Sequence, residues 1–202
     1  MKSFGGGLQV FLPRFFPEGK TILRGGTWKG DANACRSGWR LLSGGYGRYE
    51  NWGLRAAMTP SDNETPRELT LDLGDGVTME MVYIKPGTFV MGGESETDGR
   101  FQCVEVPKHE VTLTRGFYLG KYEVTQAQWQ ALMGTNPSQD FNPLGDFGVG
   151  ANYPVCYITW QDVTKTDGFL DRLNAHLVST GQGDGTFRLP SESEWAYACR
   201  AG

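Results

Sequence analysis

The chain has 202 residues, a length that suits one domain or one and a fraction. With 39% hydrophobic and 21% charged residues it has enough apolar content for a buried core, and with 29 glycines and 12% aromatics it reads as loop-rich, not as a helical bundle. Nineteen Lys and Arg against 23 Asp and Glu leave a net charge of -4, which provides no field for a phosphate backbone, so no nucleic-acid partner is expected.

No apolar run approaches the roughly 20 residues that cross a bilayer. The N-terminal stretch is broken by glycine, proline and Arg14 and reads as no signal peptide, so the expectation is a soluble chain without a membrane span. Four cysteines, Cys35, Cys103, Cys156 and Cys199, are too few for a disulfide scaffold and lack Cys-x-x-Cys spacing. Cys103 is read as a loop position and Cys199 as a core position.

In chain order, Thr21 to Met58 reads as short strands punctuated by Gly25-Gly26 and Gly44-Gly45. Thr59 to Arg67 carries no apolar residue and two prolines, which predicts a linker. The chain is thus divided into residues 1–60, a linker over 61–69, and residues 70–202. Glu68 to Leu73 alternates strictly. Met79 to Ile84, Pro86-Gly87 and Thr88 to Met91 predict a strand, a turn and a second strand forming an antiparallel ribbon. Glu110 to Thr114 and Phe117 to Val124 resume β character.

Thr125 with Gln128 predicts a capping box and Gly134 a left-handed stop, enclosing a helix. Thr159 with Asp162 opens a second helix, read through Leu177 with Gly168 in its middle. After a strand at Phe187, Ser191-Glu-Ser-Glu194 starts a third.

Several strings taken together resemble the formylglycine-generating enzyme family, also called sulfatase-modifying factor domains. They are Met81-Val-Tyr-Ile-Lys-Pro-Gly-Thr-Phe-Val-Met-Gly-Gly93, Val111 to Gln126, Trp129, Asn136-Pro137, Tyr153-Pro-Val155, Trp160 and Phe187-Arg-Leu-Pro-Ser-Glu-Ser-Glu-Trp-Ala-Tyr-Ala-Cys-Arg-Ala-Gly202. The resemblance implies an α+β fold related to C-type lectins, loop-rich, with residues 70–202 matching the N-terminal half. Leu23-Arg-Gly-Gly-Thr-Trp28, Asn33-Ala-Cys-Arg-Ser37, Arg40 and Trp52-Gly-Leu-Arg-Ala56 resemble the family's closing segment. Tail precedes head, and the central portion, with most of the family's calcium ligands, has no counterpart. A permuted, incomplete single domain and a junction between two domains both fit.

The resemblance also implies a chemistry. Family enzymes oxidise a sulfatase cysteine with molecular oxygen on Cu(I) held by two cysteines, a task that suits two soft thiolates. Here Cys35 falls on the second of the pair and Gly30 on the first, while Thr27 falls on an active-site serine. Cys35 and Thr27 are therefore the candidate catalytic residues, copper is the cofactor if the chain is active, and the enzymatic reading stays open. The alternative is a binding module that presents Trp28, Trp39, Tyr46, Tyr49, Asn51 and Trp52 to a protein or peptide ligand, since rigid aromatics among adaptable polar neighbours make good contact surfaces.

Arg24, Arg36, Arg40 and Arg55 are read as internal braces. Glu94, Glu96, Asp98 and Glu105 admit calcium, although a solvated acidic loop suits their spacing better. Exchange of the first segment between two chains is a further option.

Overall fold

The computed structural model describes residues 9–15, 20–24, 40–44, 52–61, 66–93, 97–98, 101–102, 107–141, 148–183 and 185–200. Strands β1 (Gln9–Phe15), β2 (Lys20–Arg24), β3 (Arg40–Gly44) and β4 (Trp52–Gly53) form a sheet in the order β3-β2-β1-β4. The chain then runs directly into β5 (Ala57–Thr59), followed by β6 (Glu68–Asp72), β7 (Thr78–Ile84) and β8 (Gly87–Met91). A short hairpin of β9 (Thr97–Asp98) and β10 (Phe101–Gln102) precedes β11 (His109–Leu113) and β12 (Phe117–Gly120).

Helices α1 (Gln126–Met133), α2 (Pro137–Asp140), α3 (Trp160–Thr164) and α4 (Phe169–Thr180) come next, and β13 (Thr186–Arg188) and α5 (Glu192–Arg200) complete the order.

The principal sheet has five strands in the order β13-β5-β12-β7-β6. Its strand alternation sorts two cores. Leu54, Ala56, Met58, Leu71, Met81 and Tyr118 face the helices, where Trp129 of α1 and Phe169 of α4 stack with ring centroids 5.0 Å apart and planes 2° from parallel. Ala57, Phe117 and Leu119 face the other way, against Ile84, Leu113 and Ala198 of α5.

The expected ribbon of the second and third strands after the linker does not form. β7 pairs with β6 and β12, whereas β8 leaves the sheet and pairs with β11 from Gly87↔Leu113 to Met91↔His109. Pro86 precedes β8, and proline has no N–H to extend a ladder. The strand predicted through Val124 ends at Gly120, and α2 was not anticipated.

The helix caps follow the sequence closely. Thr125 Oγ1 accepts from Gln128 N–H at 3.2 Å, and Gln128 Oε1 accepts from Thr125 N–H at 2.9 Å, a closed capping box on α1. Gly134 (φ 72°) and Gly181 (φ 63°) stop α1 and α4 in the left-handed conformation, which costs glycine little. Ser191 and Glu194 close another box on α5 at 2.7 and 3.2 Å.

The long helix predicted from Thr159 to Leu177 is instead two helices. The Thr159–Asp162 box is present, but the chain turns extended at Lys165 and Gly168 becomes the N-cap of α4. A Cβ at Gly168 would meet the carbonyl oxygens of Lys165 and Asp162 at 2.7 and 2.9 Å, so the glycine serves a close backbone approach and does not interrupt a helix. Gly168→Ala is therefore expected to destabilise the fold by about 1–3 kcal/mol, as overpacking against backbone does, which urea unfolding would read.

Candidate functional site

Trp52 to Thr59 carries the chain into the interior of the principal sheet, between β13 and β12. β5 pairs with β12 (Tyr118↔Met58) on one side and with β13 (Phe187↔Met58) on the other, and Leu54 C=O accepts from Val124 N–H at 2.9 Å. Leu54 is fully buried. Between these inward residues Arg55 turns to the α5 side, where its guanidinium lies 5.6 Å from the Trp195 ring centroid and 3.5 Å from Glu123. This is the brace that the sequence suggested for Arg55.

Beside it a denser clamp ties three elements. Arg188 of β13 donates to both Glu194 oxygens at 2.7 and 2.6 Å, and its Nε donates to Thr59 Oγ1 of β5 at 2.9 Å. Bidentate guanidinium–carboxylate pairs combine charge with fixed geometry. Burial acts to raise the Glu194 pKa, but the Arg188 bond, the Ser191 N–H bond and the Arg188 charge outweigh it and hold the carboxyl below its ordinary value.

Arg188 and Ser191 also line a cleft of about 620 Å³, together with Lys165, Thr166, Asp171 and Asn174. Much of this wall is occupied in bracing. Asn174 bonds both the N–H and the C=O of Phe187 at 2.6 and 3.0 Å, and Asp171 accepts from Asp167 N–H at 2.9 Å.

A second polar node centres on Gln126, 1% exposed. Its amide donates to Gly148 and Pro154 carbonyls at 2.9 and 3.3 Å and accepts from Asn136 Nδ2 and Gly150 N–H at 3.2 and 3.1 Å. Nearby, fully buried Ser138 Oγ accepts from Cys156 N–H at 2.9 Å and donates to its carbonyl at 3.3 Å. Cys156 is thus a buried thiol in a packing role. Cys199, read from sequence as a core position, is exposed: α5 buries Trp195 and Ala196 and packs Ala198 on the core, while Cys199 and Arg200 fall on its solvent side.

The candidate residues Thr27, Trp28, Cys35, Trp39, Tyr46, Tyr49 and Asn51 lie outside the described residues, as do Gly30, Arg36, Glu94, Glu96, Cys103 and Glu105. Trp52, Arg24, Arg40 and Asp98 are described only as backbone within β4, β2, β3 and β9. Among the described residues no group of three or more His, Cys, Asp or Glu side chains is placed to hold a metal ion, and no helix is long and apolar enough to cross a membrane. Sequence reasoning missed Arg188, Gln126 and Asn174. For Arg188 and Asn174 the signal was a polar side chain set between apolar neighbours, in Phe187-Arg-Leu189 and Leu173-Asn-Ala175, whereas Gln126, between Thr125 and Ala127, carried none.

An antiparallel sheet clasped by capped helices, with one of its interior strands drawn from an N-terminal segment, defines a loop-rich α+β domain. The chain belongs to the sulfatase-modifying factor enzyme 1-like domain family, whose profile matches residues 74–202. It is 30% identical over 150 residues to the chaperone protein LppX of Paenibacillus barcinonensis, covering 62% of this chain and 47% of that protein. It is 25% identical over 224 aligned positions to the formylglycine-generating enzyme of Mus musculus, covering 85% of this chain and 52% of that protein. The chain thus spans about half the length of these curated relatives. No solved structure matches it.

The clamp makes a signed prediction. A carboxyl whose folded pKa is depressed adds stability that is complete above the unfolded value of about 4.3 and is lost as pH falls through the lower folded value. Glu194→Gln should cost about 1–3 kcal/mol at neutral pH, the range for breaking a buried charged hydrogen bond, and should flatten this acid-side loss in urea unfolding followed against pH.

Proposed function

We propose that this chain is a polypeptide-binding member of the sulfatase-modifying factor family that has lost copper-dependent cysteine oxidation. The observation that carries the reading is the donor set. The positions that match the family's thiolate pair hold Cys35 and Gly30, and one sulfur with a hydrogen atom for its partner does not make the two-sulfur grip that suits Cu(I). The donor set therefore does not fit the metal.

Two further observations support the binding half of the reading. The relative from Paenibacillus barcinonensis is described as a chaperone, a class of protein whose work is to hold other polypeptides. The segment from Trp28 to Trp52 combines rigid aromatics with Asn, Ser and Gly, the chemistry of adaptable contact surfaces. We also read residues 1–60 as the closing segment of the same domain, joined through residues 61–69 to residues 70–202. The pairing of β5 with both β12 and β13 supports that reading. A C-type-lectin-like origin of the fold is part of the same proposal.

The expected outcome at sub-micromolar copper is no Cu(I) uptake beyond that of the Cys35→Ser variant and no conversion of a cysteine-containing sulfatase peptide. Gly30→Cys should raise the uptake towards one ion per chain. Stoichiometric Cu(I) binding by the unaltered chain, abolished by Cys35→Ser and accompanied by turnover, would restore the oxidase reading. For the binding half, the probe is a permanently unfolded, carboxymethylated protein. Trp39→Ala and Tyr49→Ala should each weaken its binding by roughly tenfold, the loss typical of an aromatic anchor. Unchanged affinity in both variants removes the aromatic segment as the contact surface.

A further inference from the structure

The principal sheet has two edges, and the structure treats them differently. β13, on one edge, is three residues long, and Asn174 of α4 closes it by bonding both the N–H and the C=O of Phe187. β6, on the other edge, is five residues long, and only its last position is closed in this way. Gln182 accepts from Asp72 N–H through Oε1 at 2.6 Å and donates to Asp72 C=O through Nε2 at 2.7 Å, while His176 Nε2 reaches the same carbonyl at 2.8 Å.

The pairing register fixes what the rest of β6 presents. Asp72 stands opposite Thr78, and its N–H and C=O point away from β7 to meet Gln182. Backbone direction alternates along an antiparallel strand, so Thr70 and Glu68 point their N–H and C=O outward as well. The bond from Tyr83 N–H to Arg67 C=O at 2.8 Å confirms the phase, because it places residue 67 among the inward-bonding positions. No described residue bonds the outward groups of Glu68 or Thr70, and both residues are exposed.

Two features say what would cover this edge. The Gln182 carboxamide already sits on it in the manner of a backbone amide, which shows that the edge accepts strand-like pairing. The exposed face of β6 carries Glu68, Thr70 and Asp72, whereas Leu69 and Leu71 turn towards the core. The neighbouring Glu80 is held at 2.7 Å by Lys121, which also attracts Glu68, and Asp72 Oδ1 accepts from Gly74 N–H at 2.8 Å, so three carboxylates share one lysine and the edge keeps a net negative charge. A second copy of the chain paired antiparallel about Thr70 would set Glu68 against Asp72 twice, and like charges directly opposite are destabilising.

We propose that the β6 edge is a second binding surface, separate from the aromatic segment, which takes an extended polypeptide as a sixth strand with basic side chains facing Glu68 and Asp72 and apolar ones beside Leu69 and Leu71. Strand addition draws affinity from main-chain bonds and selectivity from alternate side chains. In this arrangement the ligand forms rungs with Thr70 and Glu68, and Gln182 occupies the rung at Asp72.

The test uses the full chain and the blocked pentapeptide acetyl-Lys-Val-Thr-Val-Lys-amide, with amide hydrogen exchange read by NMR. At saturating peptide the Thr70 and Glu68 amides should gain at least roughly tenfold protection, while Leu69 and Leu71, already bonded to β7, stay unchanged. Replacing both lysines by glutamate, or the central threonine by proline, should abolish the effect. Glu68→Lys should shift preference to the glutamate peptide, and Gln182→Ala should tighten binding severalfold by opening the third rung.

Absence of protection at Thr70, equal response to the lysine and glutamate peptides, or concentration-dependent protection without peptide would overturn the proposal, the last because it signals a second copy on the edge. Unchanged affinity in Gln182→Ala would overturn the blocking role of that amide. The exchange readout is independent of Trp39 and Tyr49, so failure here is distinguishable from failure of the aromatic surface.

Discussion

Pairing of β5 on both of its sides is the constraint on which the principal sheet depends. A central strand carries ladder bonds on two edges and buries side chains on two faces. Met58 pairs with both Tyr118 and Phe187 and sits in the helix-side core, while Ala57 sits in the core under α5. If β5 is removed, β13 loses its only strand partner among the described residues and β12 loses one of two. The Arg188 clamp reinforces the same place, since it bonds Thr59 at the end of β5 and Glu194 on α5 together. Residues from the first third of the chain thus hold the last two elements in position.

A loop-rich fold leaves many backbone groups without ladder or helix partners, and burying them unpaired is costly. Side-chain amides meet much of that demand here. Gln126 bonds three backbone groups across the loop from Gly148 to Pro154, Asn174 closes β13, Gln182 closes the end of β6, and Gln128 both caps α1 and reaches Thr78 C=O of β7 at 2.8 Å. An amide presents a donor and an acceptor at the spacing of the peptide group itself. It can therefore take the place of a missing strand or turn, which a hydroxyl or a carboxylate cannot do as fully.

Family membership and family chemistry rest on different residues. The matched region, residues 74–202, holds three of the five strands of the principal sheet, the capped helices and the Arg188–Glu194 pair, which are determinants of shape. The resemblance places the oxidising chemistry on the closing segment, at Gly30 and Cys35. A domain can retain the first set while the second changes, because the packing of Trp129 on Phe169 and the ladder of β5 do not depend on a metal ligand elsewhere.

The sequence by itself determined the local features. Capping boxes at Thr125, Thr159 and Ser191, the stop at Gly134, and the alternation of Glu68 to Leu73 depend on interactions within a few residues, so each is legible in a short window. Only the tertiary structure decided which strands pair, because β7 and β8 are adjacent in the chain yet take their partners from β6, β12 and β11. It also decided that Gly168 opens a helix where periodicity had run straight through, since the carbonyls that crowd it come from the preceding turn. The insertion of β5 between β12 and β13 was equally out of reach, because a strand's place in a sheet is set by backbone bonds and by surfaces buried far along the chain, and neither is written in the spacing of its own side chains.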